Sequence, residues 1–187
     1  MNNPDVTTPA ATERLFFALW PSAKTAGEIA ACAQAAHALC GGRVMKPETL
    51  HMTLAFLGNM PAAEAQQLVE ACSGWVIPAR TLELRRFGRF TGPRIVWVGP
   101  SVDDDDRVHW LDEAYDTLWS YLEAEGRQRP PQIFRPHVSL LRNAGAGDVA
   151  ALPPPSIVFT PGQCVLVASR PSNNGSRYQV LARLRTV

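Results

Sequence analysis

Two short stretches of this chain carry side chains able to move protons. His51-Met52-Thr53-Leu54 and His137-Val138-Ser139-Leu140 both place an imidazole two residues before a hydroxyl. Both open an apolar run, so both read as β-strands, and in a strand residues two apart point to the same face. Each strand therefore predicts an imidazole and a hydroxyl side by side. A neutral imidazole takes a proton and an imidazolium gives one, both near neutral pH. A pair of histidines across a phosphorus centre would supply general base and general acid, each worth about 10²–10⁴-fold when well placed. Hydroxyls from Thr53 and Ser139 would donate to the non-bridging oxygens of a phosphate, where negative charge builds up. The copies fall in opposite halves of the chain, which suggests a site between two similar lobes. Zinc usually needs three or four His, Cys or carboxylate ligands. These motifs offer two histidines and two neutral hydroxyls, so no metal is expected. His37 and His109 fall in helix-like segments without such a partner and read as structural or surface residues. No Gly-rich phosphate loop, Cys-x-x-Cys, His-Glu-x-x-His or Gly-x-Ser-x-Gly motif is present.

The elements that must hold these strands follow from the periodicity. At 187 residues, 46% hydrophobic and 19% charged, the chain has the composition of one packed domain. The formal net charge of +1 excludes a highly basic nucleic-acid scaffold but not a local basic cleft. Residues 1–12 read as a flexible polar lead-in and 13–187 as a single domain. Arg14–Trp20 predicts a strand, and Ser22 a helix N-cap, with Ile29, Cys32, Ala33, Ala36 and Leu39 on the inner face until Gly41-Gly42. In the first His strand, Met52, Leu54, Phe56 and Gly58 should share one face and His51, Thr53, Ala55 and Leu57 the other. Pro61 suits the start of a second helix. Thr81–Phe87 and Arg94–Val98 predict strands around a hairpin loop, Gly88–Pro93. Val108, Leu111, Tyr115, Leu118 and Leu122 predict a third helix, capped by Asp103–Asp106. Ile133–Leu141 predicts the second His strand, and three more strands finish the chain. Arg86, Phe87, Arg89 and Phe90 interleave cations and aromatics, which suits single-stranded RNA. Cys32, Cys40, Cys72 and Cys164 read as reduced core residues, and the absence of a signal peptide or long apolar span predicts a cytoplasmic protein.

With Arg14-Leu15-Phe16-Phe17-Ala18-Leu19, the full His51–Gly58 run, Phe134–Leu140 and the tail residues Ser169, Gly175 and Tyr178, the chain resembles the two-histidine (2H) phosphoesterase superfamily. Within it the sequence most resembles the RNA 2′,3′-cyclic phosphodiesterases, also described as 2′-5′ RNA ligases. The Ala-Phe-Leu-Gly continuation of the first motif is specific to this branch. The resemblance implies an α+β fold of two pseudo-symmetric lobes, each an antiparallel sheet backed by helices around a central cleft. It implies metal-independent, cofactor-free hydrolysis of RNA 2′,3′-cyclic phosphate ends to a 2′-phosphomonoester by a monomer that binds no membrane. His51 would be the proton donor and His137 the proton acceptor. Ser139 departs from the family's more frequent threonine and keeps the hydroxyl. Leu141 replaces the usual alanine, while Arg142 is kept as a candidate phosphate clamp. Two further readings stay open: a phosphoesterase or reversible ligase acting on 2′-5′-linked or small cyclic nucleotides, and a non-catalytic nucleotide-binding module.

Overall fold

The computed structural model describes residues 12–101, 107–172 and 175–187. The strands are β1 (Thr12–Pro21), β2 (Arg43–Val44), β3 (Met52–Pro61), β4 (Val76–Ile77), β5 (Leu82–Leu84), β6 (Arg86–Phe90), β7 (Ile95–Gly99), β8 (Val138–Arg142), β9 (Ile157–Phe159), β10 (Pro161–Ser172) and β11 (Gly175–Thr186). The helices are α1 (Ala23–Cys40), α2 (Ala62–Ala71) and α3 (His109–Ala124). Nine strands form one sheet in the order β4-β11-β10-β1-β3-β8-β7-β6, with β2 added to β8. Among the described residues, only β4 runs parallel to its neighbour. β5 and β9 form a separate two-stranded ribbon. This α+β architecture has two halves, β11-β10-β1-β3 and β8-β7-β6, meeting at the single assigned pair Met52↔Val138.

One face of this sheet holds a continuous core. Leu15, Phe17 and Leu19 of β1 and Val138, Leu140 and Leu141 of β8 share it with Ile29, Ala33 and Ala36 of α1 and Leu111 and Leu118 of α3. The helices back the opposite halves: α1, from the first half of the chain, lies on β8 and β9, and α3 lies on β3. The other face of β1 is apolar too. Phe16 and Ala18 pack there with Val165 and Val167, flanked by Trp20 and Tyr178.

Ser22 caps α1 as its position predicts, its hydroxyl accepting from the Thr25 N–H at 3.2 Å. Leu39 departs from expectation: it is exposed, and Cys40 takes the inner position at the last turn. All four cysteines are free thiols, and burial pushes Cys72 up to about 11 and Cys164 up to about 12. The expected caps Asp103–Asp106 lie outside the described residues. Thr81–Phe87 is not one strand but parts of two, β5 and β6. The expected loop 88–93 is shorter, because Gly88, Arg89 and Phe90 belong to β6. The second His strand starts later than expected, at Val138, and Ile133 is 81% exposed. Among the described residues no helix is long and apolar enough to cross a membrane.

Two irregularities decide which side chains of β3 reach the cleft. The β1–β3 register slips between Leu15 and Phe16 and again between Phe17 and Ala18, so Leu57 and Leu54 have no partner across the ladder. Each such bulge inserts one residue and turns the alternation over. Thr53 consequently sits opposite Ala18 and Phe56 opposite Phe16, on the cleft face. Phe56, expected with the core residues, is 52% exposed, and the Arg14 guanidinium lies 4.9 Å from its ring centre. Ala55, expected on the face of His51, is buried in the core.

Candidate active site

Both histidines stand one residue before their strands and are held by the same device. The ring Nδ1 of His51 lies 2.7 Å from the Thr49 carbonyl, and that of His137 lies 2.7 Å from the Arg135 carbonyl. A carbonyl only accepts, so in each ring Nδ1 carries the hydrogen and Nε2 is left as the reactive nitrogen. A 3₁₀ turn at Pro47–Thr49 presents the first carbonyl, and Pro136 follows the residue presenting the second.

The antiparallel pair Met52↔Val138 sets the rest. One step either way places His51 across from Ser139 and His137 across from Thr53. All four then share the face opposite Met52 and Val138, which are fully buried. These four side chains, with Met45, Thr49, Ile95 and Arg142, line a cavity of about 130 Å³. Among the described residues the Thr53 and Ser139 hydroxyls have no hydrogen-bond partner, so both can donate into it. Thus His51, His137, Thr53, Ser139 and Arg142 are brought together around one cavity.

The neighbours of the two rings differ. His51 stacks on Phe16 at 4.7 Å and on Trp20 at 5.3 Å, with Tyr178 edge-on at 5.5 Å. Its burial, above all, holds it down at about 4; the charges of His137 and Arg142 act the same way and the Thr49 carbonyl opposes them. His137 meets Phe90 edge-on at 4.9 Å and Trp97 at 6.0 Å. Burial lowers it as well, against the Arg135 carbonyl. In the free protein at pH 7 both rings are therefore neutral. Phe16 and Trp20 escaped the sequence reading because they lie inside an unbroken apolar run whose faces alternation cannot distinguish.

A larger cavity, about 420 Å³, opens beside His137 and is lined by Arg86, Phe90, Trp97, Ile133, Phe134 and Arg135 among others. The four residues expected to contact RNA divide here. Arg86 and Phe90 face this cavity, Arg86 lying 5.4 Å over the Trp97 ring. Phe87 and Arg89 are on the other side of β6, a correction imposed by strand alternation. Phe87 packs on the core. Arg89 donates to the carbonyls of Gly145 at 2.5 Å and Gly147 at 2.6 Å, so its guanidinium holds a loop instead.

Residues 19–97 match the family model described as LigT like Phosphoesterase. The fold superposes on Escherichia coli LigT in its apo form with a TM-score of 0.72, at 30% identity over 94% of this chain and 98% of that one. The chain belongs to the LigT-like phosphoesterase family. E. coli LigT complexed with 3′-AMP superposes with a TM-score of 0.77, at 28% identity and covering 95% and 99% of the two chains. Among curated sequences, the RNA 2′,3′-cyclic phosphodiesterase of E. coli (strain K12) is 29% identical over 91% of this chain and 95% of its own. A protein of the same name from Aeropyrum pernix is 31% identical over 59% of this chain and 62% of its own.

Proposed function

We propose that this phosphoesterase opens RNA 2′,3′-cyclic phosphate ends to 2′-phosphomonoesters, by proton transfer between two histidines and without a metal ion. The observation that carries the reading is the matched pair of rings, each with Nδ1 committed to a carbonyl and Nε2 left for chemistry, across from a free hydroxyl. The names of the E. coli and A. pernix relatives support the substrate class.

The scissile phosphate sits between the rings, its non-bridging oxygens accepting from Thr53, Ser139 and Arg142. Water attacks phosphorus opposite the 3′ oxygen, and His137 Nε2 takes its proton. The bond from phosphorus to the 3′ oxygen breaks, and His51 Nε2 gives that oxygen a proton. The product carries a 2′-phosphate and a free 3′-hydroxyl; proton exchange with solvent resets the pair. His51 must begin protonated, although the free protein disfavours this. The anionic substrate supplies the missing stabilisation, since a nearby negative charge favours an imidazolium. The stacked faces of Phe16 and Trp20 add cation–π attraction for the charged ring. Phe90, Trp97 and Arg86 offer a stacking surface for a base beside His137.

The aromatic packing of His51 against Phe16, Trp20 and Tyr178, which desolvates the ring and disfavours its charged form, favours a second reading in which the roles are exchanged, with His137 as acid and His51 as base. The deciding experiment for the function is incubation of a short RNA ending in 2′,3′-cyclic phosphate in excess EDTA. A 2′-phosphate product is expected, and His51→Ala and His137→Ala should each lower kcat by about 10²-fold or more. A requirement for added metal, or a near-normal rate in either variant, would defeat the reading.

A further inference from the structure

A second hollow, about 20 Å³, adjoins the catalytic cavity and shares Met45, Thr49 and Arg142 with it. Its other polar walls are Arg43, Lys46, Ser176 and Tyr178. Arg43 and Arg142 are direct partners across β2 and β8. Like charges directly opposite one another in a sheet are destabilising, and among the described residues no carboxylate pairs with either of them. Among the described residues none of Arg43, Lys46 and Arg142 is in an ion pair, and Glu48, two residues from Lys46, is exposed and forms none either.

The backbone is shaped to make this concentration of charge. Gly42 has φ +87°, and a Cβ there would lie 2.8 Å from the Arg142 carbonyl oxygen. Only glycine lets the chain pass this close and set Arg43 against Arg142. The Met45 N–H then donates to the Leu140 carbonyl at 2.8 Å, and the Thr49 hydroxyl to the Lys46 carbonyl at 2.8 Å. The turn bearing Lys46 is thus tied to the strand bearing Arg142. The Tyr178 ring, edge-on to His51, carries its hydroxyl in the field of Arg142, Arg14 and Arg43, which draw its pKa down against the larger effect of burial.

Three cations and hydroxyls around a space too small for a base describe an anion site. It adjoins the cavity proposed for the scissile phosphate and shares Arg142 with it. We propose that this hollow takes the 5′-phosphate of the terminal nucleotide, the next phosphate along the strand, so that the enzyme reads an RNA end in preference to a free cyclic nucleoside phosphate. This inference rests on the cyclic phosphodiesterase reading and adds a substrate preference to it.

The test uses three substrates with the same terminal base: a nucleoside 2′,3′-cyclic phosphate, the same molecule with a 5′-phosphate, and the dinucleotide ending in the cyclic phosphate. In the wild type the second and third should exceed the first in kcat/KM by about tenfold or more, the range of a charge-assisted hydrogen bond. In Arg43→Gln/Lys46→Gln that ratio should collapse toward one. Both side chains are exposed, and a thermal melt confirms that the variant folds. Three results overturn the proposal: no advantage from a 5′-phosphate in the wild type, an advantage confined to the dinucleotide, or a ratio that survives the double substitution. Failure of the wild type to open any of the three would remove the cyclic phosphodiesterase reading, and the proposal with it.

Discussion

His51 and His137 carry the same hydrogen bond but differ in their surroundings, and the difference has a kinetic signature. kcat/KM reports the ionisation of free enzyme, and kcat that of the substrate complex. In the free protein both rings lie below the ordinary 6.5, His51 down to about 4. The productive state, one ring charged and one neutral, is therefore most populated on the acid side of 6.5, and kcat/KM should be a bell with its optimum there. In the proposed mechanism a bound cyclic phosphate is an anion between the rings and raises both. The kcat profile should accordingly be displaced to higher pH. Coincident profiles, or a kcat/KM that keeps climbing into alkaline pH, would show that the phosphate does not reach the rings. The two limbs belong to the pair and do not name a residue. A substrate with a better leaving group in place of the 3′ oxygen does. It needs less proton donation, so it should rescue His51→Ala far more than His137→Ala; the opposite pattern would establish the exchanged roles.

At the scale of the element, β6 shows how a strand shapes the site from behind. A Cβ on Gly88 would sit 2.1 Å from Trp97 Cζ2, so the indole lies flat across a residue that must have no side chain. Trp97 in turn faces Phe90 at 5.5 Å and His137 at 6.0 Å. Gly88→Ala should cost about 1–3 kcal/mol, the range for overpacking, read from urea titration, and should lower kcat/KM by displacing those rings. In a Trp97→Phe background, which removes the colliding atoms, the same change should cost less; equal costs would show that the collision is not the cause. This contact also explains why Gly88, Arg89 and Phe90 were read as a loop: glycine and polar residues signal turns, and the long-range reason for a strand glycine is invisible locally. Arg89 misled similarly, because its carbonyl partners are more than fifty positions downstream. The His-x-hydroxyl strands were legible because both the alternation and the chemistry are local. The bulges of β3 were not, since Leu54 and Ala55 are both apolar and no pattern marks the inserted residue. β4 was missed because two residues paired in parallel with the far end of the chain carry no periodic signal.

At the scale of the whole molecule, the site straddles a seam. The sheet passes from one half to the other through a single assigned pair, Met52↔Val138, and each half brings one histidine and one hydroxyl to it. The halves are nevertheless interlocked, with α1 backing β8 and α3 backing β3, and one core cluster runs through both. We propose that residues 13–187 unfold as one cooperative domain. An anion at the seam contacts both halves only when both are native, so it should stabilise the folded state by RT ln(1 + [L]/Kd). Sulfate is the useful probe, because its charge does not titrate near neutrality while the histidines do. Its binding is strongest when a ring is protonated, and the protonated form becomes more populated as pH falls. Millimolar sulfate should therefore raise Tm more at pH 6 than at pH 8, in a single transition. His51→Ala/His137→Ala should lose the pH-dependent part of that gain, leaving a pH-independent part from the arginines and lysine of the adjoining hollow and from the exclusion of sulfate from the protein surface. An equal gain at both pH values would mean that the anion binds without protonating either ring. Two resolved transitions would mean that the halves unfold separately despite the exchanged helices.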